Sequence, residues 1–345
     1  VGGAGGMTAG AGILVLGAGE VAGLLEGREA EVLAAVREAY LAHGRGRSSL
    51  PHSTFLRFPG DDLNRIIGLP AYLGDGFEVS GIKWIASYPG NVARGLPRAS
   101  AVVVLNATET GRPTAILEGS IISARRTAAS AALAAQVLAS EPPETAGLVG
   151  TGLINHETAR FLRTVFPGLR RFVLHDLDAG RARAFGERLR EEDGDLSFEL
   201  APSTREVLAR CPLVSFATTA VRPHVGDLDA CPAGATILHL SLRDLAPEAV
   251  LAADNVVDDR DHVLRAGTSL HLASERTPEE RGAELIRATL AEVLEGPPWS
   301  GRRRAPVTVF SPFGLGVLDL AVAQRVHALA REAGIGIEVP GFLPV

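Results

Sequence analysis

The sequence predicts an α/β protein whose larger part is a doubly wound parallel sheet, and two observations predict it. The stretch Ala146 to Leu162, AGLVGTGLINHETARFL, passes from an apolar run through Gly150 and Gly152 into a helical pattern. The chain after it keeps one rhythm, in which RRFVLHDLD, GRARAFGERLREE, LSFEL, TREVLARC, LVSFATTA and TILHLSL alternate short strands with helices. That alternation implies parallel strands joined by right-handed crossovers.

The glycine turn carries chemistry. Gly150 and Gly152 allow backbone N–H groups to approach a pyrophosphate at a helix N-terminus, which makes Gly150, Thr151, Gly152, Leu153, Ile154 and Asn155 the candidate cofactor-binding run. Asn155 stands where a third glycine is usual. A lone glycine turn is a weak sign, but here the next strand ends at Asp176, 176 − 152 = 24 positions after the second glycine. A carboxylate there accepts from a ribose 2′-OH and repels a 2′-phosphate, so the expected cofactor is NAD rather than NADP. Asp178 is the alternative acid, and Arg181 and Arg183 are the features that argue the other way.

The remaining elements follow in order. ILVLGAGEVAGLL offers an earlier glycine turn, with Gly17, Gly19 and Gly23, but a helix ending at Gly44 follows it and no second strand supplies a terminal acid, so it reads as a decoy. From Ser48 to Asn106 short strands and turn residues predict an α+β region. TETGRP reads as a hairpin-type turn, and the alanine-rich run that follows predicts a helix whose Ala128, Ala129, Ser130, Ala131 and Ala132 permit close approach. Pro142–Pro143 is a natural boundary. ERGAELIRATLAEVLEG predicts a helix closing the sheet region, PPWSGRRRAP a linker, and VTVFSPFGLGVLDLAVAQ a last strand, glycine turn and helix.

Bulk properties bound the function. A chain of 345 residues with 46% hydrophobic residues supports two packed cores. Net charge −6 argues against nonspecific nucleic-acid binding, and the compact basic run Arg302–Arg304 lies between prolines, as a solvated linker does. Cys211 and Cys231 each precede a proline without a second pair, so no metal site is expected and both read as reduced thiols. No apolar run reaches the roughly 18 residues a membrane span needs, so the cytoplasm is the expected location and no membrane partner is expected. Met7 is the expected native start.

Four separated stretches resemble the ornithine cyclodeaminase/μ-crystallin family: SARRTAASAALAA, the lysine-bearing GIKWIASYPGN, HLSLRD after a sheet strand, and FGLGVLDLAVA near the end. The resemblance covers nearly the whole chain from Ile13. STFLR, GTGLIN, ILHLSLRDL and SPFGLGVLDLA are most similar to the branch that oxidatively hydrolyses N-(2-amino-2-carboxyethyl)-L-glutamate with NAD, giving 2,3-diaminopropionate and 2-oxoglutarate. The resemblance implies a Rossmann-type sheet inserted in an α+β substrate and dimerisation domain, a small amino-acid conjugate as substrate, and a homodimer, with the small-residue helix as a meeting place for its subunits. The expected partition is residues 7–141 and 306–345 for the substrate and dimerisation domain and 142–305 for the NAD domain. Ornithine cyclodeaminase, alanine dehydrogenase or ketimine reductase, and a crystallin-like dinucleotide binder stay open as alternatives.

The same resemblance points to site residues. Arg126 matches the arginine that grips a substrate α-carboxylate, a task suited to the forked guanidinium, with Arg125 as its exposed neighbour. Lys83 matches a lysine close to the reacting carbon; charged it binds a carboxylate, neutral it accepts a proton. Asp244 matches an aspartate that activates water or receives the amine proton, with a loop or helix cap as the other reading. Leu242 and Arg243 replace the cyclodeaminase glycine pair, so Arg243 is available to an added carboxylate. Arg57 and Arg65 are further candidates for a substrate with three carboxylates. Thr218, Thr219 and Ser241 end strands at the expected cofactor edge, and Gly314 and Gly316 match a turn that meets the nicotinamide carboxamide. Asp319 starts the following helix, where capping competes with a ligand role. His175 and His239 read as satisfied sheet histidines.

Overall fold

The computed structural model describes residues 12–265, 267–277 and 285–344; the expected start at Met7 lies outside them. The chain divides into two compact units, one holding the chain up to Arg28, Gly46–Ser123 and the chain from Gly316, the other Glu29–Arg45 and Ala124–Leu315.

The first unit is a mixed sheet with one long helix. Its strands are β1 (Ile13–Leu16), β2 (Ser48–Ser49), β3 (Thr54–Phe58), β4 (Asp61–Leu73), β5 (Val79–Ser87), β6 (Ala99–Ala107), β7 (Pro113–Glu118) and, near the end of the chain, β16 (Ile337–Val339). They run in the order β16-β1-β7-β6-β5-β4-β2, with β3 also paired to β4. The early glycine turn follows β1, which pairs with β7 and β16 in this sheet. The helix Gly316–Ala333 lies on β4, β5 and β6. Two glycines set its distance: a Cβ on Gly316 would sit 3.1 Å from the Leu69 carbonyl, and one on Gly81 would sit 3.1 Å from Leu320 and 2.1 Å from the Val104 carbonyl.

The second unit is an eight-stranded sheet, parallel throughout. Its strands are β8 (Thr145–Val149), β9 (Arg171–His175), β10 (Ser197–Leu200), β11 (Leu213–Phe216), β12 (Ala235–His239), β13 (Asp254–Val257), β14 (Ile286–Thr289) and β15 (Val307–Ser311), in the order β10-β9-β8-β11-β12-β15-β13-β14. Being covered on both faces, its strands read as continuous apolar runs such as AGLV and TIL.

Three expectations are corrected here. The boundaries fall after Ser123 and Leu315 and take in Glu29–Arg45, where 141/142 and 305/306 were expected. The reason is pairing: β15 hydrogen-bonds between β12 and β13, and the Leu138 carbonyl at the end of the helix Ser120–Leu138 accepts from Thr236 Oγ1 at 3.2 Å. The expected closing helix is a strand over Ile286–Thr289 followed by a helix over Leu290–Glu295, because the IRAT run pairs with β13 and Thr289 caps the helix in a reciprocal box with Glu292; residues 280–284 of that stretch lie outside the described ones. The small-residue stripe Ala128–Ala132 is buried within the single chain, where Ser130 shares a 2.6 Å hydrogen bond with buried Tyr40, so it offers no face to a second subunit.

Among the described residues no helix is long and apolar enough to cross a membrane, and no group of three or more His, Cys, Asp or Glu could hold a metal ion.

The helix Thr204–Arg210 packs directly on β8 because Gly147 leaves room: a Cβ there would meet the Val207 side chain at 2.3 Å. Gly147→Val is therefore expected to cost about 1–3 kcal/mol through overpacking, read as a lower thermal midpoint.

Candidate active site

In a parallel sheet every strand delivers its carboxyl end to the same edge, and ligands of such folds bind there. At β8 that edge is the glycine turn. Gly150 has φ +86°, and a Cβ on it would lie 2.5 Å from the Ala217 carbonyl, so both backbone and packing demand glycine. Gly152 N-caps the helix Leu153–Val165 in an extended conformation, with open space before it and no side chain capping the first-turn N–H groups. Those donors suit a pyrophosphate. Leu153 is exposed and Ile154 half-buried at the head of this helix.

Asn155 was expected among the cofactor contacts and instead lies fully buried behind the turn. Its Nδ2 donates to the carbonyls of Val149 at 3.0 Å and Gly150 at 2.7 Å, and Ser215 Oγ donates to its Oδ1 at 2.7 Å. The side chain holds the turn in place; a glycine there could not.

Asp176 ends β9 and accepts from Thr151 N and Thr151 Oγ1, both at 2.8 Å, and from Asp178 N at 3.1 Å. Burial acts to raise its pKa, but these hydrogen bonds outweigh burial and hold it below the ordinary carboxylate range. Asp178, the alternative acid, is spent capping the helix Ala179–Glu192 through Gly180 N and Arg181 N. Leu177 stands fully exposed between them.

The loops after β11 and β12 meet around Asp244, which has no exposed surface. Thr218 Oγ1 donates to Oδ1 and Ser241 Oγ to Oδ2; His224 Nε2 lies 3.1 Å from Oδ1 and His239 Nε2 3.2 Å from Oδ2. Burial alone would raise this carboxyl, but the hydrogen bond and charge of His239, with the Ser241 and Thr218 hydroxyls, hold it far below its ordinary value. Thr218 and Ser241, expected at the cofactor, thus commit their hydroxyl hydrogens to Asp244, while Thr219 is exposed. His239 is fully buried with both ring nitrogens partnered, as expected of a satisfied core histidine, its Nδ1 reaching Ser311 Oγ on β15 at 3.2 Å. His175 meets the Ala201 carbonyl at 3.0 Å. Leu242 adopts φ +66°, a left-handed conformation disfavoured for a side chain of its size, and its carbonyl accepts from Ser269 N at 2.7 Å. Arg243 beside it is half-buried.

Arg126 is buried in this unit and lies against the turn after β15: a Cβ on Gly314, which has φ +96°, would come 2.9 Å from Arg126 Nη1. The N–H groups of Phe313 and Gly314 are given to Asp258 at 2.9 and 2.6 Å, so these two donors are not left for a nicotinamide carboxamide. Arg125, expected to be exposed, is buried beside Glu29 (3.8 Å) and Glu157 (3.6 Å). Gly316 begins the long helix of the first unit, where its packing on β4 accounts for the glycine.

The first unit holds Lys83 in a separate setting. Its ammonium donates to Asp319 Oδ2 at 2.7 Å and Ser123 Oγ at 3.1 Å, with both charges buried. A buried carboxylate left beside a neutral amine would be uncompensated, so this pairing favours the charged lysine. Asp319, left undecided in sequence, is this partner. Alternation along β4 and β5 puts Arg65, Ser87 and Lys83 on one face, with Arg57 directly opposite Arg65 on β3. Arg98, which carried no motif signal, donates to Ser87 Oγ at 3.5 Å.

An all-parallel sheet with an uncapped glycine turn, a terminal acid on the next strand and a buried carboxylate at the same edge defines a dinucleotide-binding α/β protein. The profile of the ornithine cyclodeaminase/mu-crystallin family matches residues 18–334, and the chain belongs to that family. It is 28% identical over 308 residues to the N-((2S)-2-amino-2-carboxyethyl)-L-glutamate dehydrogenase of Staphylococcus aureus, covering 88% of this chain and 90% of that protein. It is also 28% identical over 331 residues to the alanine dehydrogenase of Archaeoglobus fulgidus, covering 90% and 94%. The Thermococcus litoralis Delta(1)-pyrroline-2-carboxylate reductase, solved with NADH and L-proline, superposes with a TM-score of 0.85 at 27% identity over 95% of this chain and 100% of that one. An archaeal alanine dehydrogenase dimer with bound NAD gives 0.83 at 26%, over 96% and 100%.

Asn155→Ala takes the side-chain partner from the Gly150 carbonyl and the Ser215 hydroxyl, while the Val149 carbonyl keeps the Ala217 N–H at 3.0 Å; the expected loss is about 1–3 kcal/mol per group before relaxation, read as a lower thermal midpoint. Acid stability tests Asp244. Its folded pKa lies below the unfolded value near 3.9, so its contribution is full above that value and lost as pH falls through the folded one. Thermal midpoints measured from pH 5 down to 3 are expected to fall less steeply in Asp244→Asn than in the wild type.

Proposed function

We propose that this chain is an NAD-dependent amino-acid dehydrogenase acting on a C–N bond, with N-(2-amino-2-carboxyethyl)-L-glutamate as its substrate. The observation that carries the reading is the shared sheet edge: an ionised Asp176 beside the uncapped turn of Gly150 and Gly152, and an ionised, enclosed Asp244 on the loops next to it. The glycine turn and Asp176 fit NAD, since Gly152 opens on free space and Asp176 already carries the charge that excludes a 2′-phosphate. NAD, when bound, supplies the oxidant for the carbon that bears the substrate nitrogen.

The overall change balances as substrate, NAD and water giving 2,3-diaminopropionate, 2-oxoglutarate, NADH and one proton. The substrate nitrogen gives up its proton as the α-carbon is oxidised; water then adds to the imine carbon, and the C–N bond breaks. The protein must hold three carboxylates while this occurs, and its cations are suited to that. Arg126 grips the α-carboxylate, Lys83 serves as a fixed cation, and Arg57, Arg65 and Arg243 are the candidates for the remaining two. The 28% identity to the Staphylococcus aureus enzyme supports this substrate, and the equal identity to an alanine dehydrogenase favours alanine as the second reading.

A homodimer is part of the proposal. The sheet face of the first unit away from the long helix carries Leu56 and Trp84, 43% and 39% exposed. Its neighbours Ile66 and Ile82 share that face by strand alternation.

Three measurements follow. Purified protein with NAD and the aminocarboxyethyl-glutamate is expected to generate NADH fluorescence; turnover of alanine or ornithine with none of the conjugate would sink the substrate assignment. Arg126→Lys loses the paired donors and is expected to raise KM about 10- to 100-fold, the equivalent of roughly 1.5–3 kcal/mol, with a smaller effect on kcat. Trp84→Glu is expected to shift the particle mass in light scattering from two chains to one.

A further inference from the structure

We infer that His224 is the general base of the reaction proposed above, on which this inference rests, and that Asp244 is the carboxylate that positions it. Three observations lead there.

The first is that the two residues singled out in sequence for proton transfer are unsuited to it. Lys83 is held as an ammonium by Asp319, and Asp244 has both oxygens engaged by Thr218, His224, Ser241 and His239 with no surface open to a substrate or a water. A carboxylate stabilised so strongly in its ionised form is a weak proton acceptor.

The second is the setting of His224. It follows β11 on the ligand-binding edge, and its side chain is 40% exposed while the carboxylate it touches is wholly enclosed. Its Nε2 is 3.1 Å from Asp244 Oδ1, and among the described residues nothing partners its Nδ1. With Nε2–H donated to the carboxylate, the lone pair resides on Nδ1, the nitrogen left for a reacting group. This is the arrangement of a base oriented by a buried acid.

The third is that the backbone fixes the pair. His224 N and Val225 N both donate to the Asp244 carbonyl at 2.9 Å, Ala246 N donates to the Val225 carbonyl at 2.8 Å, and Val225 and Leu245 form a parallel bridge. Thr218, whose hydroxyl reaches Asp244, also stands against the glycine turn: a Cβ on Gly150 would lie 3.3 Å from the Thr218 Cα. The dyad is thereby anchored next to the place assigned to the dinucleotide.

The step balances without a further reagent. Nδ1 takes the proton released from the substrate nitrogen as the carbon is oxidised, or from the water that adds to the imine; Asp244 stabilises the imidazolium through Nε2–H, and the proton leaves to solvent through the exposed face. The ionisable group bonded to His224 is Asp244, with His239 on the far oxygen of that carboxylate; Arg222 stands two residues earlier on the same loop, and Arg243 stands beside Asp244.

The test is a pH profile of kcat/KM from 5 to 10 for the wild type, His224→Gln and His224→Ala, with NAD affinity and thermal midpoint measured alongside. The wild type is expected to gain activity with rising pH through a single ionisation. His224→Gln is expected to lose that ionisation and about 10²- to 10⁴-fold in kcat while binding NAD as before. Added imidazole is expected to restore part of the activity of His224→Ala. A His224→Gln enzyme that keeps the ionisation and kcat within about fivefold overturns the inference, as does a folded His224→Ala enzyme that imidazole does not rescue. If the wild type ignores the conjugate but oxidises alanine, the substrate assignment fails and the same variants are tested on alanine. A wild type inert toward every amino acid tried overturns both.

Discussion

A carboxylate removed from water keeps its charge only where the protein replaces the lost hydration with donors, and this chain does so at Asp244. Two hydroxyls and two imidazoles gather on its oxygens, His239 from the last position of β12 and the other three from loops that follow parallel strands. Satisfying one buried charge therefore fixes the separation of the β11 and β12 loops, the rotamer of His239 on β12 and its link to Ser311 on β15. The left-handed backbone at Leu242 belongs to the same constraint, because the chain must turn sharply between Ser241 and Asp244 for both to reach one point.

The same economy shapes the neighbouring turns. Asn155 ties down the carbonyls behind the glycine turn, and Asp258 takes the N–H groups of Phe313 and Gly314 behind the turn after β15. In both places a buried side chain fixes the backbone from the protein side. Such turns need no rearrangement to meet a ligand, which keeps the ordering cost of binding low.

Much of the fold was legible because it rests on local patterns. Apolar runs broken by helices announced the parallel sheet, and a glycine pair followed by Asp176 marked its ligand edge. Pairing partners were not legible. IRAT reads as part of a helix until β13 is there to pair with it, and β15 follows the PPWSGRRRAP linker in sequence although it sits inside the second sheet. In the site, single residues attached to motifs were found, while partnerships across the chain were missed. Lys83 and Asp319 are 236 positions apart, His224 and Asp244 lie on different loops, and Arg125 looks like a surface residue until Glu29 and Glu157 close on it. A charge in sequence carries no record of its counterion.

The chain crosses between its two units four times, after Arg28, Arg45, Ser123 and Leu315. Neither unit is a continuous stretch of sequence, and the third crossing falls inside a single helix, Ser120–Leu138. Ribosomal synthesis therefore completes neither unit before the chain is nearly finished: the second waits for β15, and the first for the helix that follows it. A fold threaded in this way cannot be shortened to its nucleotide half or exchanged by one cut and one join. New specificities in such a chain have to arise by substitution at the loops, with the scaffold inherited whole.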